Sequence, residues 1–117
     1  MPLSVTSVAR GRIAEDLALD WLQRQGLQLV TRNFRCRGGE IDLVMRQGQE
    51  LVFIEVRARA RASHGGAAAS ITSSKQAKLL LAAQVYLQRF KSLPPCRIDV
   101  LALDGDRIEW LRGAITM

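Results

Sequence analysis

Between residues 39 and 59 the chain reads GEIDLVMRQGQELVFIEVRAR, and no other stretch limits its fold so tightly. Two apolar runs, EIDLVM (40–45) and LVFIEVRA (51–58), carry the β-branched and aromatic residues that favour strands. Between them Gly48-Gln49 suits a two-residue hairpin loop, glycine coming first as a type II′ turn prefers. With that loop, residues whose numbers sum to 97 face one another, so Asp42 falls opposite Glu55 and Glu40 opposite Arg57. Side chains alternate along a strand, which puts those four charged residues on one face. Ile41, Leu43, Val52, Ile54 and Val56 take the other, the expected core side. Two acids directly opposed destabilise a ladder, so the pairing needs a reason. One is a solvated face on which Glu40 and Arg57 form an ordinary ion pair. The other is a divalent cation held between Asp42 and Glu55, since magnesium takes one or two carboxylates and keeps several waters.

The flanking sequence reads as a helix, three strands, a second helix and a returning strand. Ile13, Leu17 and Trp21 recur every four residues within 8–25, with Ala14, Ala18 and Leu22 widening the stripe. Gly26 is a left-handed stop, and Glu15 sits at the edge of the stripe, where a carboxylate can face a cleft. LQLVTRNF (27–34) reads as the first strand. Residues 59–74, RARASHGGAAASITSS, are small and polar without periodicity and read as a mobile loop. Ser73 or Ser74 can cap a helix over 75–90 whose apolar face is Leu79, Ala83, Tyr86 and Phe90. CRIDVLAL (96–103) reads as a fourth strand, and RIEWL (107–111) as a short closing one after an Asp-Gly-Asp turn. Asp99 is expected to pair with an arginine inside the sheet, and Trp21 and Trp110 to pack. The order αβββαβ(β) indicates an α/β fold, a mixed sheet flanked by helices.

A chain of 117 residues is expected to form a single domain, 1–117, with roughly two thirds of its unfolded surface buried. Cys36 and Cys96 make neither a disulfide framework nor a zinc site and read as reduced thiols. The first residues lack the apolar stretch of a signal peptide and no window reaches membrane-span length, so a cytoplasmic protein without a membrane partner is expected. Net charge is +6, and only Lys75, Lys78 and Lys91 among the 17 basic residues are lysines. Arginine's rigid fork suits phosphate oxygens, and the balance favours polyanionic partners. Arg32, Arg35 and Arg37 enter the acidic strand while Arg59, Arg61 and His64 leave its partner. A basic rim is therefore expected around the acids, the arrangement that holds a backbone phosphate; His64 reads as an ordinary loop residue.

The spacing Asp42–x12–Glu55–x–Arg57 resembles the PD-(D/E)xK nuclease signature with arginine in the lysine position. GRIAED, with Glu15, is similar to the first-helix glutamate region of archaeal Holliday-junction resolvases. Together GRIAEDLAL, RNFRCRGGEIDLV, FIEVRAR, ITSSKQAKL and CRIDVLAL resemble the YraN family of restriction-endonuclease-like proteins, from about Gly11 to Asp104. The resemblance implies a three-layer α/β/α core and a metal-dependent nuclease acting on nucleic acid, DNA first and branched DNA in particular. It implies Mg2+ or Mn2+ held by Asp42, Glu55 and the Val56 carbonyl. Glu15 and Arg57 would complete the catalytic set, and Lys75 and Gln76 would meet a phosphate. Arg35, Arg37, Arg59 and Arg61 would bind nucleic acid as well.

The arginine is a departure with chemical consequences. Lysine can lose a proton when its pKa falls; a guanidinium cannot. Arg57 would act by stabilising transition-state charge, leaving the cation to activate water. A non-catalytic nucleic-acid-binding module on the same fold is the alternative, and an interaction scaffold a third. Cutting a junction needs paired sites, so a homodimer is the assembly that the nuclease reading admits.

Overall fold

In the computed structural model, which describes residues 7–59 and 71–117, one five-stranded sheet carries two helices. Helix α1 (Ser7–Arg24) is followed by strands β1 (Gln28–Cys36), β2 (Gly39–Gln47) and β3 (Glu50–Arg59). Helix α2 (Ser73–Leu87) then leads to β4 (Cys96–Asp104) and β5 (Arg107–Ile115). The strands lie in chain order; β3 and β4 are parallel, with α2 between them in sequence, and the remaining pairs are antiparallel. This is the mixed α/β sheet that the element order implied, although β5 runs four residues further than expected, to Ile115. The Arg61 and His64 expectations lie outside the described residues, as does most of the 59–74 loop.

The hairpin register is the one derived from the turn. Leu43 faces Ile54, Val44 faces Phe53 and Gln47 faces Glu50. Gly48 has φ +61 while Gln49 does not enter the positive region, as a type II′ turn requires. The two faces, however, do not divide into core and solvent. Val52 and Ile54 pack with Leu43, Met45, Leu101 and the α1 residues Ala14, Ala18 and Leu22. Leu51 and Phe53, pointing the other way, pack with Val44, Ile98 and the α2 residues Leu79, Ala83 and Tyr86. One helix thus covers each face. The cause is the parallel β3–β4 pair, which cannot close with a tight turn and needs a crossover long enough to hold a helix. Ile41 also departs from its expected side, joining the α2-side cluster.

Helix α1 is rotated relative to the expected stripe. Ala14, Ala18 and Leu22 are buried, whereas Ile13 and Leu17 are 52% and 57% exposed. Alanine at two successive turns lets the helix lie close to the sheet, so Ile13 and Leu17 face out while Trp21 still packs at the edge of the core. The helix ends as Gly26 (φ +98) allows: Leu27 N–H donates to the Leu22 carbonyl (3.1 Å) and Gly26 N–H to Gln23 (3.0 Å). That pair of bonds is a Schellman closure, and it delivers Leu27 into the core. In α2 the cap is Thr72 rather than either serine, its Oγ1 accepting from Lys75 N–H at 3.2 Å. Three hydroxyl residues in a row could serve, and the one in use directly follows Ile71, which packs against the α2-side core.

Candidate functional site

The β2–β3 ladder stops at Leu43–Ile54, one pair before Asp42 and Glu55. Beyond it the backbone of β3 pairs with a side chain: Val56 N–H donates to Asp42 Oδ2 at 2.8 Å. In an extended strand the N–H and carbonyl of one residue leave on the same edge, so the Val56 carbonyl faces the same gap. Asp42 and Glu55 stand together as the register required, each carboxyl within reach of the other's charge. Burial first, and the neighbouring Glu55 charge second, push the Asp42 carboxyl up from 3.8 to about 8; the Val56 amide works against the rise.

A cavity of about 400 Å³ opens over this pair. Its charged lining is Glu40, Asp42, Glu55, Arg57, Lys75 and Lys78. The cross-strand Glu40–Arg57 ion pair of the solvated-face reading does not form. Glu40 instead meets Arg35 Nε at 2.8 Å, and Arg57 Nε lies 3.2 Å from Glu55 Oε2. That approach is close enough for charge attraction but misaligned for a hydrogen bond, leaving the buried Nε without a hydrogen-bond partner. Among the described residues no group of three or more His, Cys, Asp or Glu side chains gathers, so a cation here would rest on the two carboxylates.

Glycine shapes one wall. A Cβ on Gly39 would come within 2.3 Å of the Lys78 carbonyl oxygen and 3.2 Å of the Ala82 side chain. Only a residue without a side chain lets α2 settle on the first residue of β2, three positions before Asp42. That contact carries Lys75 and Lys78 to the cavity.

The other expected site residues are distributed around it. Glu15 is buried on the α1 side and does not line the cavity. Its Oε1 accepts from Arg32 Nη2 (3.1 Å) and Asn33 Nδ2 (3.1 Å), and Arg32 also bonds Asp16 at 2.6 Å. Burial raises the Glu15 pKa most; the Arg32 bond opposes that, and the Asp42 charge adds to it, so the two acids lie within electrostatic reach. Arg35 and Arg37 are exposed on and beyond the end of β1, and Arg59 closes β3. Gln76 does not reach the cavity; its Nε2 approaches the Ile71 carbonyl at 3.5 Å. Two participants were missed. Lys78 was visible in principle, three residues after Lys75 on one helical side. Asn33 is the one non-glycine described residue with positive φ (53°), a conformation that asparagine tolerates and that no local pattern announced.

Asp99, expected to pair within the sheet, is fully buried and bonds Arg97 Nε (3.0 Å), Trp110 Nε1 (2.9 Å) and Gly113 N–H (2.8 Å). The indole rings of Trp21 and Trp110 meet edge to face at 5.8 Å. These residues serve packing, as expected. No helix among the described residues is long and apolar enough to cross a membrane.

Comparison with known proteins covers nearly the same span as the fold. Residues 14–103 match the family described as Uncharacterised protein family UPF0102. A UPF0102 protein of Herminiimonas arsenicoxydans is 58% identical over 105 residues, which is 90% of this chain and 85% of the relative. One from Cupriavidus metallidurans is 56% identical over 117 residues, 99% of this chain and 87% of the relative. Another, from Methylibium petroleiphilum, is 54% identical over 94% of this chain and 96% of its own length. The matched span contains Glu15, the acid pair, Arg57 and both lysines, and the chain belongs to the UPF0102 family, the YraN family that its sequence resembles.

Proposed function

We propose that the protein is a metal-dependent nuclease of the restriction-endonuclease-like class, hydrolysing phosphodiester bonds in nucleic acid, DNA in the first instance. The observation that carries this reading is the Asp42–Glu55 pair, a half-buried carboxyl beside a buried one, at a cavity that Arg57, Lys75 and Lys78 also line. Two carboxyl groups this close and largely shielded from solvent favour a proton or a cation between them. A mixed sheet with a helix on each face supports the restriction-endonuclease-like layering.

The donor set fits Mg2+ or Mn2+: two hard carboxylate oxygens, with the Val56 carbonyl facing the same gap. When bound, the cation would supply charge neutralisation and Lewis acidity. The chain's own groups then divide the remaining work. Arg57, which lines the cavity, would set the fixed positive charge of its guanidinium against charge developing on the phosphate. Glu15, fixed by Arg32 and Asn33, adds negative potential behind Asp42. A two-fold dimer would present paired sites to a branched substrate.

A second reading, a binding module that does not cut, is favoured by one observation: the lysine position holds an arginine already engaged with Glu55. One experiment separates them. The wild type and Asp42→Ala are incubated with single-stranded and branched DNA in Mg2+ and in Mn2+. Cleavage that disappears in Asp42→Ala supports the nuclease. Salt-sensitive binding that survives the substitution, with no cleavage in either metal, supports the binding module.

A further inference from the structure

We infer that the first two turns of α2 anchor a backbone phosphate adjacent to the one over the acid pair, with Lys78 and Lys75 as its cations. This rests on the reading above that the substrate is a nucleic acid. Of the three cations facing the cavity, Arg57 is drawn to Glu55 at 3.2 Å. Glu40 is paired with Arg35, Glu55 with Arg57, and Asp42 accepts from the Val56 amide. The acids are therefore satisfied without the lysines. Among the described residues neither Lys75 nor Lys78 has a side-chain ion pair or hydrogen bond, although both border the same cavity. Two unpaired ammonium groups beside an acid pair that does not engage them form a separate, anion-accepting wall.

Their spacing suits one target. Residues three apart on a helix lie on one side with Cβ atoms about 5–6 Å from each other, so both ammonium groups can converge on a single phosphate. The wall's position comes from backbone packing rather than from side-chain reach. Gly39 admits the Lys78 carbonyl where any Cβ would come to 2.3 Å, which ties this turn of α2 to the strand that carries Asp42. Gln76, between the two lysines in sequence, turns toward Ile71 instead. Lysine is a compact point charge with no planar fork, so such an anchor grips the backbone without reading bases.

The test is binding of mixed-sequence single-stranded and duplex oligonucleotides, followed by fluorescence anisotropy in EDTA across a salt series. Lys75→Gln, Lys78→Gln and Lys78→Arg are compared with Lys91→Gln, an equal charge change beyond the far end of α2. Each phosphate contact contributes a slope of roughly 0.7 on single strands and 0.9 on duplex in the dependence of log affinity on log salt. Lys75→Gln and Lys78→Gln should each shrink the slope by about that amount. Lys78→Arg should retain it, and Lys91→Gln should leave it unchanged. In Mn2+ the two glutamine variants should raise KM more than they lower kcat. Unchanged slopes in a wild-type-like binder would overturn the anchor and leave the nuclease reading standing. Equal losses in Lys91→Gln would reduce the effect to net charge and overturn it too. A wild type that binds neither oligonucleotide at low salt would remove both.

Discussion

Replacing Asp42 by asparagine should make the metal-free protein more stable at alkaline pH while abolishing the proposed cleavage. Asparagine keeps the shape of the side chain: its carbonyl oxygen can accept from Val56 N–H, and its amide can donate to Glu55. What it removes is the charge. Burial and the Glu55 charge raise Asp42 from 3.8 to about 8, and each tenfold change in proton affinity is worth about 1.4 kcal/mol. Four such factors set an upper limit of about 6 kcal/mol on the cost of ionising Asp42, and relaxation and solvent in a real site leave about 1–3 kcal/mol. The direction follows from proton linkage. A carboxyl whose folded pKa is raised binds a proton that the unfolded chain has lost. Its contribution is fully present below pH 3.8, declines as pH rises, and is gone once pH passes about 8. Thermal unfolding in EDTA should therefore show the variant gaining on the wild type between about pH 5 and pH 8.5, by roughly 3–15 °C at the upper end. A melting difference that does not change with pH, or a variant less stable at pH 8.5, would refute the acid-pair argument.

The remaining predictions concern the metal, the close helix contact, the buried carboxylate and the arginine. Mn2+ at about one hundred times its Kd should stabilise the wild type by about 2.7 kcal/mol, and most of that gain should vanish in Asp42→Asn; equal shifts in calorimetry would argue against the acid pair as the binding place. Gly39→Ala should cost about 1–3 kcal/mol or more in denaturant unfolding, because its Cβ would meet the Lys78 carbonyl at 2.3 Å; an unchanged midpoint would mean that α2 is not seated as described. Asp99→Ala leaves the Arg97 Nε, the Trp110 indole and the Gly113 amide without their partner while Arg97 keeps Glu50 and Gln47, and should cost about 1–3 kcal/mol or more, with Asp99→Asn milder; an unchanged midpoint would contradict the network. Arg57→Lys supplies a group able to release its proton, so cleavage should gain a limb rising with pH that the wild type lacks; identical pH–rate curves would show that this position takes no part in proton transfer.

Much of the site was readable before any coordinates, because it depends on local rules. The Gly48-Gln49 turn sets the hairpin register, and the register places Asp42 beside Glu55. Gly26 ended the first helix through its own backbone freedom, and the strands announced themselves through alternation and β-branched residues. These relations span a few residues, so the chain's covalent geometry suffices to fix them.

The tertiary structure decided what lies against what. The sequence could not say that α2, between two parallel strands, would cover the acidic face and turn half of it into core. It could not choose between the columns Ile13–Leu17 and Ala14–Ala18 on α1, since both repeat every four residues; only close seating on the sheet favoured alanine. Lys78 and Asn33 entered the surroundings of the acids through contacts between residues distant in sequence, one through Gly39 and the other through Glu15. Periodicity tells a side chain which way to point, but its neighbour there is chosen by packing, which the whole chain must solve at once.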